Sequence, residues 1–420
     1  MSRFNNDDPR HTVNDAVDQY NNNTNPTTAT DDGYDSSSSS ESEITTKPEK
    51  SRRPKENAFT QQRLKAINPV LTPKTVIPLL VAIAIVFVPL GAAMWYASDW
   101  VEDITIDYSQ CQNLASTDYW SVIPDNFTDY HFRKNYTDYA PQFRWRLATD
   151  NSQPFADERR VCQLQFQVLD DFHGPLFVYY RLHNFHANHR RYVKSFSEDQ
   201  LNGKPASLST IKDTVGQNCE PLSTVDGVRI YPCGLIANSL FNDTFSHAFV
   251  ATNGTDPGNT VELTNKGIAW SSGTSRFKKT RYNYTEVVPP PNWYKMFPDG
   301  YNETNIPDIS TWEEFHNWMS PSALPTFNKM ALRNNSATLA RGIYQIDIGL
   351  HFPVLEYNGK KFLYISQRSA IGGKNNFLGI SWMVTGGICF ILGLSLLVIN
   401  FIKPRKTGDA SLLSWNQQNE

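Results

Sequence analysis

Two stretches of this 420-residue chain contain no charged side chain: 24 residues from Thr75 to Ser98, and 28 from Asn375 to Ile402. Each exceeds the roughly 20 residues that an α-helix needs to cross a hydrocarbon core of about 30 Å. Two helices buried in a soluble core would carry polar residues on some face, so the runs predict two transmembrane helices. They divide the chain into a tail (1–51), a basic juxtamembrane segment (52–74), a first span (75–98), a large loop (99–374), a second span (375–402) and a short tail (403–420). The first run follows a long hydrophilic stretch and precedes no small-residue cleavage site, so it reads as a retained anchor rather than a signal peptide. Pro78 and Pro89 inside it, and Gly379, Gly386, Gly387 and Gly393 inside the second, predict close approach of other helices.

Charge orients the spans. Arg52, Arg53, Lys55, Arg63, Lys65 and Lys74 precede the first, and Lys403, Arg405 and Lys406 follow the second. The far side of the first span carries Asp99, Glu102, Asp103 and Asp107 instead. The positive-inside rule then places both tails in the cytosol and the loop outside it. Four of the five cysteines, Cys111, Cys162, Cys219 and Cys233, lie in that loop, and Cys389 lies in the second span. An even set in an oxidising compartment reads as two disulfides, with three pairings open. Seven sequons fall in the loop, at Asn126, Asn135, Asn242, Asn253, Asn283, Asn302 and Asn334, against one in the tails, at Asn22. The loop is thus expected to be N-glycosylated.

Residues 1–51 are rich in Asn, Asp, Ser and Thr without apolar periodicity, the composition of a disordered tail. Within the loop, apolar residues alternate in Val161–Val168, Leu176–Leu182 and Gly342–Leu350, the period of strands. Helical spacing appears at Thr311–Met319, where Trp312, Phe315, Trp318 and Met319 share a face. The expected fold is a mainly antiparallel β ectodomain with a few short helices, disulfide-stapled and flanked by two transmembrane helices.

Nothing in the loop reads as chemistry. His183, His186 and His189 do not keep to one helical face, no Glu sits among them as in a zincin, and no cysteine is left over to complete a metal site. Phosphate-binding loops and nucleophile elbows are missing from the sequence. No catalytic residue, metal or cofactor is expected. The net charge of −3 gives no basic surface for nucleic acid. Neither span holds an ionisable residue, so the two helices alone form no ion path.

Several blocks resemble a known family: Ala58–Ala66 with Leu71-Thr-Pro73, Asn188–Ser195, Tyr231–Phe245 with its Pro-Cys-Gly-Leu-Ile-Ala-Asn-Ser core, Pro289–Trp293, Trp312–Phe315 and Phe352–Val354. They are similar to the signatures of the cell-division-control-fifty and ligand-effect-modulator family, the non-catalytic β-subunits of type IV P-type ATPases that flip phospholipids. The resemblance runs from about Arg52 to Lys403. It implies a heterodimer in which the loop clamps the exoplasmic loops of the ATPase, the spans pack beside its last membrane helix, and the basic segment touches its cytosolic side. Contacts are expected at Phe59, Gln61, Gln62, Arg63, Asn238, Ser239 and Phe241, with membrane phospholipids around the complex and ATP hydrolysis confined to the partner. The disulfide arrangement that resembles the family's is Cys111 to Cys162 and Cys219 to Cys233, which also needs no crossed loops.

The segment Lys295–Asp308 and the tail Asp409–Trp415 look closest to the fungal ligand-effect-modulator branch, whose partners act at the plasma membrane. The other fungal branch works at Golgi and endosomes. A stand-alone receptor or adhesion glycoprotein would explain the topology, sequons and cysteines, but not the blocks at 58–73 and at both membrane flanks.

Overall fold

A computed structural model describes residues 58–59, 62, 64, 72–134, 139–212, 214–252, 256–368 and 372–404. Two helices in it are long and apolar enough to cross a membrane, Pro73–Asp99 and Asn376–Ile402. They run antiparallel along a seam of small residues. Ala84, Gly91 and Ser98 are the buried positions of the first, and Gly379, Gly386 and Gly393 those of the second. Both sets recur every seventh residue, the period that keeps one seam facing a partner along two wound helices. The approach is too close for side chains. A Cβ on Gly379 would lie 2.6 Å from the backbone nitrogen of Trp95, and one on Gly91 would lie 2.8 Å from the Gly379 carbonyl oxygen. Gly387, expected on the same grounds to admit a neighbour, has open space around it and lies off the seam. Phe87 packs on Trp382 with ring centroids 4.3 Å apart. At the top, the Ser98 hydroxyl donates to Asn376 Oδ1 at 2.7 Å and accepts from the Asn375 N–H at 2.8 Å.

Between these helices lie fifteen strands among the described residues: β1 Asp103–Asp107, β2 Ser121–Val122, β3 Thr128–His131, β4 Phe143–Thr149, β5 Arg160–Val168, β6 Leu176–His183, β7 Thr224–Val225, β8 Val228–Ile230, β9 Thr244–Phe245, β10 Ala248–Thr252, β11 Val261–Glu262, β12 Val287–Val288, β13 Phe327–Asn334, β14 Gly342–Gly349 and β15 Lys360–Gln367. One sheet runs β13-β6-β15-β1-β3, and a second runs β11-β10-β14-β5-β4-β2 with β9 beside β14. All their pairings are antiparallel. A small third sheet, β12-β8-β7, holds a parallel pair.

The alternation read from sequence sets the register. In β5, Cys162, Leu164 and Phe166 are fully buried and stand opposite Ile348, Ile346 and Tyr344 of β14. The other edge of β5 places the same three residues against Leu147, Trp145 and Phe143 of β4. A one-residue slip would turn all of them to the opposite face, so burial fixes the pairing. Inner-face residues of the first sheet, such as Ile104, Val178 and Ile365, join the same apolar core. The helix expected at 311–319 spans Glu313–Trp318, and its Phe315, Trp318 and Met319 are buried.

Two disulfides are present, Cys111–Cys162 and Cys219–Cys233. The first ties the turn after β1 to the centre of the second sheet. The second lies in a separate small core with Ala206, Ile211 and Ile230. Both spans enter the domain through adjacent strands, because β1 follows the first span, β15 leads into the second, and β1 pairs along its whole length with Phe362–Ser366 of β15.

Candidate partner-binding site

Blocks scattered over the sequence meet at one four-residue helix, Leu235–Asn238. Its entry is Gly234 at φ 101°, where a Cβ would lie 2.1 Å from the Ser195 carbonyl oxygen, so only glycine fits. The Leu235 N–H donates to the buried Ser195 hydroxyl at 2.8 Å. A helix this short has few intrahelical donors for its last carbonyls, and two indoles give them their shortest hydrogen bonds: Trp318 Nε1 donates to Ile236 at 2.8 Å and Trp293 Nε1 to Ala237 at 2.9 Å. Asn238 Oδ1 accepts the Asn292 N–H at 2.9 Å. The Ser239 hydroxyl meets the Tyr192 hydroxyl at 2.8 Å. The Pro289–Trp293 segment, one of the family-like blocks, thus buries its tryptophan in this node.

The Trp312–Phe315 block works beside it. Glu313 accepts the backbone N–H groups of Gly267 and Ile268 at 3.0 and 2.9 Å and of Ala269 at 3.2 Å. Burial raises its pKa, but these donors prevail and hold the carboxyl below the usual range. Glu314 accepts from Asn265 Nδ2 at 2.6 Å, and Phe315 is fully buried.

Of the three residues expected to contact a partner here, Phe241 packs inward. It is 8% exposed, stacks flat on Tyr180 at 3.9 Å and meets Phe352 at 5.1 Å. Asn238 and Ser239 instead line a cleft of about 680 Å³ together with Asn242, Asn292, Lys295 and Glu356. Lys295 bridges Asp157 and Glu158 at its wall. Burial disfavours the Lys295 ammonium, yet its hydrogen bonds to both carboxylates outweigh that and raise its pKa.

Behind Lys361, His351 and Phe352, which line this cleft, lies a group that the sequence reading missed. Asp243 is buried and accepts from Lys361 Nζ at 2.7 Å, from the Tyr108 hydroxyl at 2.9 Å, and from the N–H groups of His351 and Phe352, both at 2.7 Å. Burial first, and the Asp243 charge second, push the Tyr108 phenol well up, so it stays a proton donor. A sequence signal existed: Lys361 shares strand parity with Leu363 and Ile365 of β15, an inward position where a lysine demands a buried counter-charge.

Of the seven sequons, Asn135 and Asn253 lie outside the described residues. Asn126, Asn283 and Asn302 are exposed, and Asn242 is half-buried at the cleft. Asn334 Nδ2 donates to the Glu262 carbonyl at 2.7 Å. Near the N-terminus, Gln61 and Arg63 lie outside the described residues, whereas Phe59 is 76% exposed and accepts through its carbonyl from the Gln62 N–H at 3.1 Å. His183 bonds Thr326 and His186 bonds Asn184. No group of three potential metal ligands occurs among the described residues.

Residues 94–406 match the model of the LEM3 (ligand-effect modulator 3) / CDC50 family. The chain is 50% identical to the phospholipid-transporting ATPase accessory subunit LEM3 of Saccharomyces cerevisiae, over 92% of this chain and 93% of that one. It is 41% identical to the accessory subunit CRF1 of the same yeast, over 87% and 90%, and 38% identical to the accessory subunit CDC50 of Chaetomium thermophilum, over 87% and 91%.

Proposed function

The chain belongs to the LEM3/CDC50 family, and from that premise we propose that it is the non-catalytic accessory subunit of a phospholipid-transporting P-type ATPase. The observation that carries the reading is the full-length similarity to relatives that are named accessory subunits of such ATPases. It is an integral membrane protein whose hydrolytic chemistry belongs to the partner chain. Both termini are cytosolic and the domain between the spans is exoplasmic, as the flanking charges, disulfides and clustered sequons argue. Similarity at the level of the LEM3 branch supports the plasma membrane as its destination after assembly in the endoplasmic reticulum.

The structure supports a bracing role. Both spans continue into paired strands of one sheet, so a force on the domain reaches the membrane helices through hydrogen-bonded backbone. Outside their shared seam the two helices expose large apolar side chains, among them Ile85, Val86, Ile388 and Ile391, to lipid or to the partner's helices. Asn238, Ser239 and Asn242 at the cleft, and Phe59 to Arg63 on the cytosolic side, are the proposed contacts. Phe241 supports the cleft wall from behind.

The test is purification of the tagged full chain from detergent-solubilised membranes. A stoichiometric P-type ATPase should accompany it, and cells lacking this chain and its paralogues should retain that ATPase in the endoplasmic reticulum. An ATPase that reaches its destination and moves lipid at full rate without the chain overturns the reading.

A further inference from the structure

Side-chain partners within the domain split the block Asn188–Ser195 into two sets. Asn188 donates through Nδ2 to the Ala323 carbonyl at 2.8 Å, Tyr192 meets Ser239, and Ser195 is fully buried. His189, Arg190, Arg191 and Lys194 are exposed and, with Asn218, line a concavity of about 360 Å³. Among the described residues, Arg190 and Lys194 make no ion pair and no side-chain hydrogen bond. Arg191 reaches only the Glu220 carbonyl, at 3.5 Å. The Glu220 carboxylate itself is taken by Lys212 at 3.6 Å and Ser223 at 2.9 Å.

Several cations elsewhere in the domain are paired within the chain. Arg276 pairs with Glu198 at 2.6 Å, Lys361 with Asp243 at 2.7 Å and Lys374 with Asp103 at 3.5 Å. Three like charges in one short turn repel one another, yet the struts at Asn188, Tyr192 and Ser195 hold them there, as does the bond from the Asn218 N–H to the Lys194 carbonyl at 2.9 Å. An arrangement so fixed awaits negative charge from another molecule.

Position selects the source. β6 runs from Leu176, paired with Gln367 near the second span, to His183, paired with Lys360 at the opposite end. The cationic turn follows that remote end, about 25 Å along the strand at roughly 3.3 Å per residue. Lipid headgroups at the span ends then lie beyond a Debye length of about 8 Å. Val193 is 41% exposed beside the cations, and Leu324, next in the chain to Ala323, is 66% exposed. Apolar neighbours of that kind suit a polypeptide better than a free anion.

We propose that His189–Lys194 is a docking surface for a carboxylate-rich segment of the partner ATPase's exoplasmic loops. The inference rests on the accessory-subunit reading and adds a specific patch and its chemistry. In the full-length complex, the triple variant Arg190→Glu, Arg191→Glu, Lys194→Glu should retain both disulfides and lower the co-purified ATPase about tenfold. Zero-length carbodiimide coupling of the wild-type complex should join Lys194 to an Asp or Glu of the ATPase, and this arm stands even where the triple variant fails to fold. Undiminished ATPase with the triple variant, or Lys194 coupled solely within its own chain, overturns the inference. Inorganic phosphate that shields Lys194 of the isolated chain from acetylation as fully as the ATPase does would also overturn it, in favour of a small-anion site. Failure of the wild-type chain to bring down any ATPase would refute the accessory-subunit reading instead.

Discussion

Trp293 and Trp318 donate their indole N–H groups to consecutive carbonyls, Ala237 at 2.9 Å and Ile236 at 2.8 Å. Together they close the end of a helix too short to satisfy itself, and they join the Pro289–Trp293 and Glu313–Trp318 segments to the Pro-Cys-Gly-Leu-Ile-Ala-Asn-Ser block. The node explains why those residue types occur together: each contributes one donor, one acceptor or one ring to the same few ångströms.

Trp318→Phe keeps most of the apolar volume and leaves the Ile236 carbonyl with the Ser239 hydroxyl alone, at 3.2 Å. Loss of one such hydrogen bond costs about 0.5–1.5 kcal/mol. The thermal midpoint of the purified full chain should fall accordingly, and a midpoint equal to wild type would show that water or another donor replaces the indole.

Asp243→Ala should be far more damaging, because it leaves the buried Lys361 ammonium with no counter-charge and the Phe352 carbonyl alone, and two backbone N–H groups without their acceptor. Breaking one side of such a pair costs roughly 3–5 kcal/mol. Pairing Asp243→Asn with Lys361→Met should recover part of the loss relative to either change alone. Strict additivity in chemical unfolding of the four proteins would argue against coupling.

The seam between the spans predicts a steric result. Gly379→Leu must push the helices apart, since even a Cβ would sit 2.6 Å from backbone of the other helix. Cysteines placed at Ser98 and Asn376, whose side chains now meet at 2.7 Å, should cross-link rapidly when Gly379 is retained and slowly in the Gly379→Leu variant. Gly387→Leu, off the seam, should leave the cross-linking rate unchanged.

His316 predicts the pH response. Burial is the main cause of its lowered pKa and outweighs the Ile309 carbonyl at 2.5 Å and the charges of Glu313 and Glu314. A ring with a depressed folded pKa binds its proton more readily in the unfolded chain. Its stabilisation is therefore whole above about pH 6.5, the unfolded value, and is lost as pH falls from there toward the folded value. The urea midpoint of the full chain should drop between pH 7 and pH 5, and His316→Gln should flatten that slope. Equal slopes would assign the acid sensitivity to another group.

Among the described sequons, Asn283 and Asn302 are exposed, whereas Asn334 spends its amide on the Glu262 carbonyl within a paired strand. Glycopeptide mapping of the protein from a eukaryotic host should find sugar at Asn283 and Asn302, little at Asn334 and none at Asn22. Sugar at Asn22 would invert the topology.

The two spans, the strand alternation of β5, β6 and β14, and the inward helix face at Phe315, Trp318 and Met319 could all be read from the residues in order. Each rests on a local period, which any single segment displays. The family-like blocks were legible too, but as strings whose purpose stayed hidden. Tertiary structure alone decided that Ser195, Gly234, Trp293 and Trp318 meet at one helix, that Phe241 faces inward while Asn238 lines the cleft, and that Asp243 neutralises Lys361. Those relations join residues tens of positions apart, and their energies come from desolvation and paired hydrogen bonds that exist once the chain has closed around them. The same logic separates Gly387 from Gly386. Composition treats them alike, and only the packed seam gives one a neighbour and the other none.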